Sequence, residues 1–232
     1  ALLGLDSDAA GTLYAVGVDG MLRRYAGGHV GYRLTGRATL ADIERPVRVK
    51  VSPSGQQLAV GSLGSKAPVI YDTNASRLSD FAAPAAGNLR NLGAVAWSPD
   101  GRSLLAAGDP DDGAARIYRY QLGRRDPVDS IIVGEQRFFD LVTLRDGSVA
   151  FTLEEARVGV LPSSGASPVK SVANGIVRHG RDALGLRASP DGRRIVVPLR
   201  DGRLFEFDAS AARGTLVPAG QVGSPTRRAL PE

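Results

Sequence analysis

The sequence predicts an all-β protein, a β-propeller of four-stranded antiparallel blades. Three observations predict it: a turn motif that recurs five times, a nearly constant interval between its copies, and apolar residues that never recur with helical period over a useful length. Three copies are close, Val51-Ser-Pro-Ser-Gly-Gln-Gln-Leu-Ala-Val60, Trp97-Ser-Pro-Asp-Gly-Arg-Ser-Leu-Leu-Ala106 and Ala188-Ser-Pro-Asp-Gly-Arg-Arg-Ile-Val-Val197. Two looser ones start at Leu5 and Leu144. Their turn glycines are Gly11, Gly55, Gly101, Gly147 and Gly192, so the intervals are 44, 46, 46 and 45 residues. Propeller blades have that period, and helical solenoids have a shorter one.

Each element follows from local chemistry. Ser-Pro-Asp-Gly puts proline where a turn needs a fixed φ and glycine where it needs a positive one. Alternating apolar residues precede the turn, as at Val47, Val49 and Val51, and an apolar run such as Leu58-Ala-Val60 follows it. A second turn, clearest at Asp19-Gly20 and Asp201-Gly202, leads to a third strand that carries Tyr25, Tyr71, Tyr118 or Phe205. Segments such as Ser130–Val133 and Gly214–Val217 supply a fourth. The blades are expected over residues 1–44, 45–89, 90–136, 137–180 and 181–222, with 223–232 as a linker or tail to a longer polypeptide. Five such sheets make either a closed five-bladed ring or an arc of a larger, for example seven-bladed, one.

Composition narrows the chemistry. In 232 residues no apolar run approaches the roughly 20 that a membrane helix needs, so no membrane partner is expected. Cysteine is absent, which excludes disulfides, thiolate metal sites and cysteine nucleophiles, and leaves cytoplasm and periplasm both open. A triad base could come only from His29 or His179, both in glycine-containing polar loops, so no catalytic residue is expected. Asp109-Pro-Asp-Asp112-Gly113 could imitate a calcium loop, but an Asp- and Gly-rich hairpin tip explains it more simply, and neither metal nor cofactor is expected. The net charge of +5 comes almost wholly from arginine, with no basic stripe interleaved with aromatics, so nucleic acid is not an expected partner.

The segment Ala94-Val-Ala-Trp97-Ser-Pro-Asp-Gly-Arg-Ser-Leu-Leu-Ala-Ala-Gly108 resembles the WD-repeat superfamily of β-propellers, and the resemblance covers nearly the whole chain. Within it the chain is most similar to bacterial WD-repeat domains that lie beside caspase-like peptidase domains, through Asn88-Leu-Arg-Asn-Leu-Gly-Ala-Val-Ala-Trp97 and Arg178-His-Gly-Arg-Asp182. The Gly-His pair that opens a typical repeat is missing, and Trp-Asp survives only as Tyr71-Asp72, so the family's His, Ser/Thr, Asp and Trp tetrad does not carry over. The resemblance implies a scaffold or sensor, with any catalysis on another domain of the same polypeptide.

One recurrence points to a site. Arg45, Arg90, Arg137 and Arg181 lie 10, 11, 10 and 11 residues before their turn glycines, just ahead of each innermost strand. In a propeller these positions ring one mouth of the axial channel, where guanidinium forks suit carboxylates. Asn88, Asn91, Phe138 and Phe139 fall at the same mouth. The expected partner is therefore a protein or peptide, including one of acidic character. The alternative from another class, a propeller enzyme or a small-molecule or metal binder using the channel, would require carboxylates converging on the axis.

Overall fold

The computed structural model describes residues 1–28, 31–79, 81–85, 89–110, 112–135, 137–154, 157–164, 169–172, 185–189, 191–198, 203–209 and 213–217. His29, Asn88, His179, Arg181 and the tail 223–232 lie outside them.

Among the described residues the strands form five antiparallel sheets in chain order. Sheet 1 holds β1 (Leu2–Ser7), β2 (Leu13–Gly17), β3 (Met21–Gly28) and β4 (Gly31–Thr39). Sheet 2 holds β5 (Pro46–Val51), β6 (Gln57–Ser62) and β7 (Val69–Asp72). Sheet 3 holds β8 (Leu89–Trp97), β9 (Ser103–Pro110), β10 (Ala115–Gln121) and β11 (Asp129–Gly134). Sheet 4 holds β12 (Phe138–Thr143), β13 (Val149–Leu153), β14 (Arg157–Leu161) and β15 (Val169–Val172). Sheet 5 holds β16 (Arg187–Ala188), β17 (Arg194–Pro198), β18 (Leu204–Asp208) and β19 (Arg213–Val217). Strands neighbour one another in sequence order within every sheet, which is the plan of a propeller blade.

Sheet 2 departs from the expected four strands. After β7 the chain turns at Asp72, whose Oδ1 accepts the N–H groups of Asn74 and Ser76 at 2.8 Å, and only an isolated bridge joins Tyr71 to Arg77. The Ser79 hydroxyl then accepts the Ile70 N–H at 2.8 Å, where a fourth strand's carbonyl would stand. Side-chain capture of backbone donors has replaced the ladder.

The recurring turn has one construction. The N–H of each turn glycine donates to the carbonyl three residues back, as from Gly55 to Ser52 at 2.8 Å and from Gly101 to Ser98 at 2.9 Å. These glycines have φ between +69° and +83°, which only glycine adopts without strain. The serine hydroxyl ties both ends: Ser98 Oγ accepts the Ser103 N–H at 2.9 Å and donates to Asp100 Oδ1 at 2.6 Å. Ser189 and Asp191 repeat this, and Asp8 replaces the serine in the first copy by accepting the Thr12 N–H at 2.8 Å.

Four apolar clusters join the sheets pairwise: Tyr14, Val16 and Leu22 with Val49, Leu58 and Tyr71; Ala59 and Ile70 with Val95, Trp97 and Tyr118; Leu105 and Ile117 with Leu141 and Phe151; Ala150 and Val158 with Leu186, Ile195 and Phe205. Each fully buried large side chain contributes roughly 1.5–3 kcal/mol over an exposed one, so the seams carry the fold. Innermost strands also bond directly: Trp97 Nε1 donates to the Lys50 carbonyl at 2.9 Å, and Asp6 accepts the Val51 N–H at 2.9 Å. Burial pushes the Tyr71 hydroxyl up to about 12 while it donates to the Ala41 carbonyl at 2.6 Å, as befits a seam aromatic.

Candidate functional site

The innermost strands run side by side, and the residue seven before each turn glycine lies on the face opposite the one packed against the preceding sheet. That column reads Gly4, Arg48, Ala94, Asp140 and Gly185. Two members are charged and three are small, and the small ones leave the room that the charged pair fills. Arg48 Nε donates to Asp140 Oδ1 at 3.3 Å, from sheet 2 to sheet 4 past the intervening sheet 3. Arg48 also donates to the carbonyls of Phe139 at 3.4 Å and Val47 at 3.5 Å. Asp140, only 2% exposed, further accepts the backbone N–H groups of Leu141 and Leu186, each at 3.1 Å, and has Arg187 at 3.9 Å. A Cβ on Gly4 would stand 2.8 Å from Arg48 Cα, so glycine is required for this approach. The centre of the described sheets is therefore occupied by an ion pair with most of its polar groups satisfied.

Above that pair lies a cavity of about 320 Å³, within the size range of ligand sites. Arg48 and Val47 of β5, Asn91, Gly93 and Ala94 of β8, Asp109 of β9, Phe138 and Phe139 of β12, and Leu63, Arg137 and Glu154 line it. Asn91 organises one wall. Its φ of +59° turns β8 out of register, its Oδ1 accepts the Gly64 N–H at 2.9 Å, and its Nδ2 donates to Asp109 Oδ2 at 3.0 Å. Asparagine tolerates this backbone conformation better than most residues. On the opposite wall the Arg137 carbonyl accepts the Glu154 N–H at 2.9 Å, and the Arg137 side chain stands exposed. Among the described residues no carboxylate lies within ion-pair distance of Arg137.

The structure thus brings Arg137, Asn91 and Phe138 of the expected set together and rearranges the rest. Phe138 is floor more than finger: it is 9% exposed and packs on Phe151 with ring centroids 5.9 Å apart, inside the seam of sheets 3 and 4. Arg45 does not line the cavity. It is exposed on a bend with φ +45°, held by its carbonyl accepting the Leu63 N–H at 3.2 Å. Arg90 does not precede the innermost strand but belongs to it, because β8 continues past the Asn91 irregularity and pairs Arg90 with Asp109. Asp109, expected at a hairpin tip, lines the mouth instead, and Glu154 lines it as well.

Arg48 and Asp140 were missing from the sequence-based set. The signal that could have found them is opposite charge in two members of an otherwise small, inward-facing column. The mouth also carries both signs of charge, Arg48 and Arg137 against Asp109 and Glu154, so it is not simply basic. A larger groove of about 650 Å³ opens at the turn end between sheets 3 and 4. Much of its polar rim is already engaged, in the Arg119–Asp129 ion pair and in the Ser98–Asp100 and Ser148–Asp146 bonds. Among the described residues no group of three His, Asp or Glu side chains is placed to hold a metal ion, and no helix is long and apolar enough to cross a membrane.

No family model matches the chain. It is 24% identical over 171 residues to WD repeat-containing protein 1 of Bos taurus, a match that covers 70% of this chain and 26% of that protein. The chain thus spans about a quarter of that relative's length. Among solved structures, hydrazine synthase of Kuenenia stuttgartiensis superimposes with a TM-score of 0.71 at 16% identity, over 89% of this chain and 64% of that one. The structural likeness concerns the fold alone. The first comparison is a likeness to a WD-repeat protein, and the second agrees with a propeller-type fold.

Proposed function

We propose that this protein is a non-catalytic interaction scaffold, a sensor module of a larger bacterial effector or signalling protein, which captures an extended protein segment at the mouth. WD-repeat likeness favours protein partners in general, and the resemblance to domains beside caspase-like peptidases favours the effector setting. The observation that carries the reading is the exposed Arg137 side chain beside Glu154, Phe138 and Phe139 on one wall of a ligand-sized cavity. A peptide carboxylate would meet Arg137 in a two-pronged bond, an adjacent backbone or side-chain donor would meet Glu154, and an apolar side chain would rest on the phenylalanines. Arg48 stays engaged with Asp140 and shapes the base of the site.

The test is capture of an array of acidic peptides by wild type and by Arg137→Ala. Removing an anchoring arginine at such a contact costs about 1.4 kcal/mol or more, so affinity should fall at least roughly tenfold while the melting midpoint holds within about 2 °C. Capture that is equal in the two proteins would dispose of this reading.

A further inference from the structure

We propose that the face of sheet 1 turned away from sheet 2 is a seam for one more four-stranded sheet of the same repeat, encoded immediately upstream of β1 in the full polypeptide. Its basis is a comparison of equivalent positions. The residue six before each turn glycine is Leu5, Val49, Val95, Leu141 or Leu186. In sheets 2 to 5 it packs against the preceding sheet and is 1%, 0%, 0% and 1% exposed; in sheet 1 it is 50% exposed.

The third strand repeats the contrast. Tyr71, Tyr118 and Phe205 are buried against the preceding sheet, whereas Tyr25 is only half-buried and its ladder partner Leu34 is exposed. Leu3, beside Leu5 on β1, is exposed as well. Sheet 1 therefore presents the apolar half of a seam, with the residue types that are buried in four other places, and without a cover among the described residues.

Sheet 5 is the competing candidate for that cover. Ile195, Val197, Phe205 and Phe207 face sheet 4, so strand alternation turns Arg194, Val196, Leu204 and Glu206 outward. Arg194 and Glu206 pair there at 3.1 Å, much as Arg119 and Asp129 pair on the face that sheet 3 turns toward sheet 4, so the test has to separate sheet 5 from an upstream sheet. At every formed seam the covering sheet is the one encoded just before, about one repeat upstream, and continuity of that pattern identifies the occupant. The five sheets are then an arc of a larger ring.

The test compares Leu5→Ala in the 232-residue chain and in the full polypeptide, with Val49→Ala as the buried control. Val49→Ala should lower the melting midpoint in both proteins. Leu5→Ala should lower it by less than about 2 °C in the 232-residue chain and by roughly 5–15 °C in the full polypeptide, the range for truncating a covered core leucine. A small loss in both, or a polypeptide with nothing upstream, overturns the proposal. So does a large loss in the 232-residue chain: if it fades on dilution a second copy covers the face, and if it persists sheet 5 does.

Discussion

At the turn end of the sheets, Ser98 and Ser189 each bind an aspartate two residues on and an N–H five residues on, so these turn groups are answered within one short peptide. At the mouth end, Arg48 is answered by Asp140, 92 residues away, and Asp140 in turn by the Leu186 N–H, 46 residues further on. The turn end repeats because each copy is self-sufficient. The mouth end does not repeat, since each of its groups depends on a different sheet, and there the backbone also takes unfavourable conformations at Arg45 and Asn91. The contrast teaches that the repeated end builds the sheets and the irregular end individualises them.

The strongest challenge to that contrast is Asp140→Ala. It would leave Arg48 without its carboxylate and orphan the Leu186 N–H, at a cost of about 3–5 kcal/mol. Urea unfolding would read it, and a loss under about 1 kcal/mol would mean that the central pair ties nothing together. Next in size is Gly101→Ala, which forces a side chain into φ +69° and should cost roughly 1–2 kcal/mol by the same measurement. The opposite sign is expected at the mouth: Arg45→Gly relieves φ +45° and should gain roughly 0.5–1 kcal/mol, without weakening peptide capture.

The smallest effect concerns acid. Hydrogen bonds from Ser98 and Ser189 hold the carboxyls of Asp100 and Asp191 below their ordinary value of 3.8. A carboxyl lowered in the folded state stabilises fully above 3.8 and loses that contribution as pH falls through the lowered value. The urea midpoint of an Asp100→Asn, Asp191→Asn variant should therefore drop less steeply than wild type below pH 4. Parallel curves would show that these turns gain nothing from ionisation.

Much of the fold was legible. Gly11, Gly55, Gly101, Gly147 and Gly192 mark the blades, and the aromatics Tyr71, Tyr118 and Phe205 are seam core as their recurrence implies. The site was legible only in part. Arg137, singled out by its spacing, and Asn91, placed beside the arginines, line the cavity, but Arg45 shares that spacing and does not, because a left-handed bend redirects it. Spacing counts residues; it does not report which way a loop turns. Asp109 was read only as part of a hairpin tip, because an Asp-rich tip looks the same whether it faces solvent or a neighbouring sheet.

What the sequence determined by itself is everything that closes within a few residues: the turns, the strand alternation and hence which face of each sheet is apolar. Such features need only local hydrogen bonds and side-chain period, and five copies state them redundantly. Tertiary structure alone decided that Arg48 meets Asp140, that Asn91 holds Asp109 over the cavity, and that Leu5 stays open while Val49, Val95, Leu141 and Leu186 are covered. Those outcomes depend on how sheets are arranged about a common centre, a relation between residues tens of positions apart that no single repeat contains.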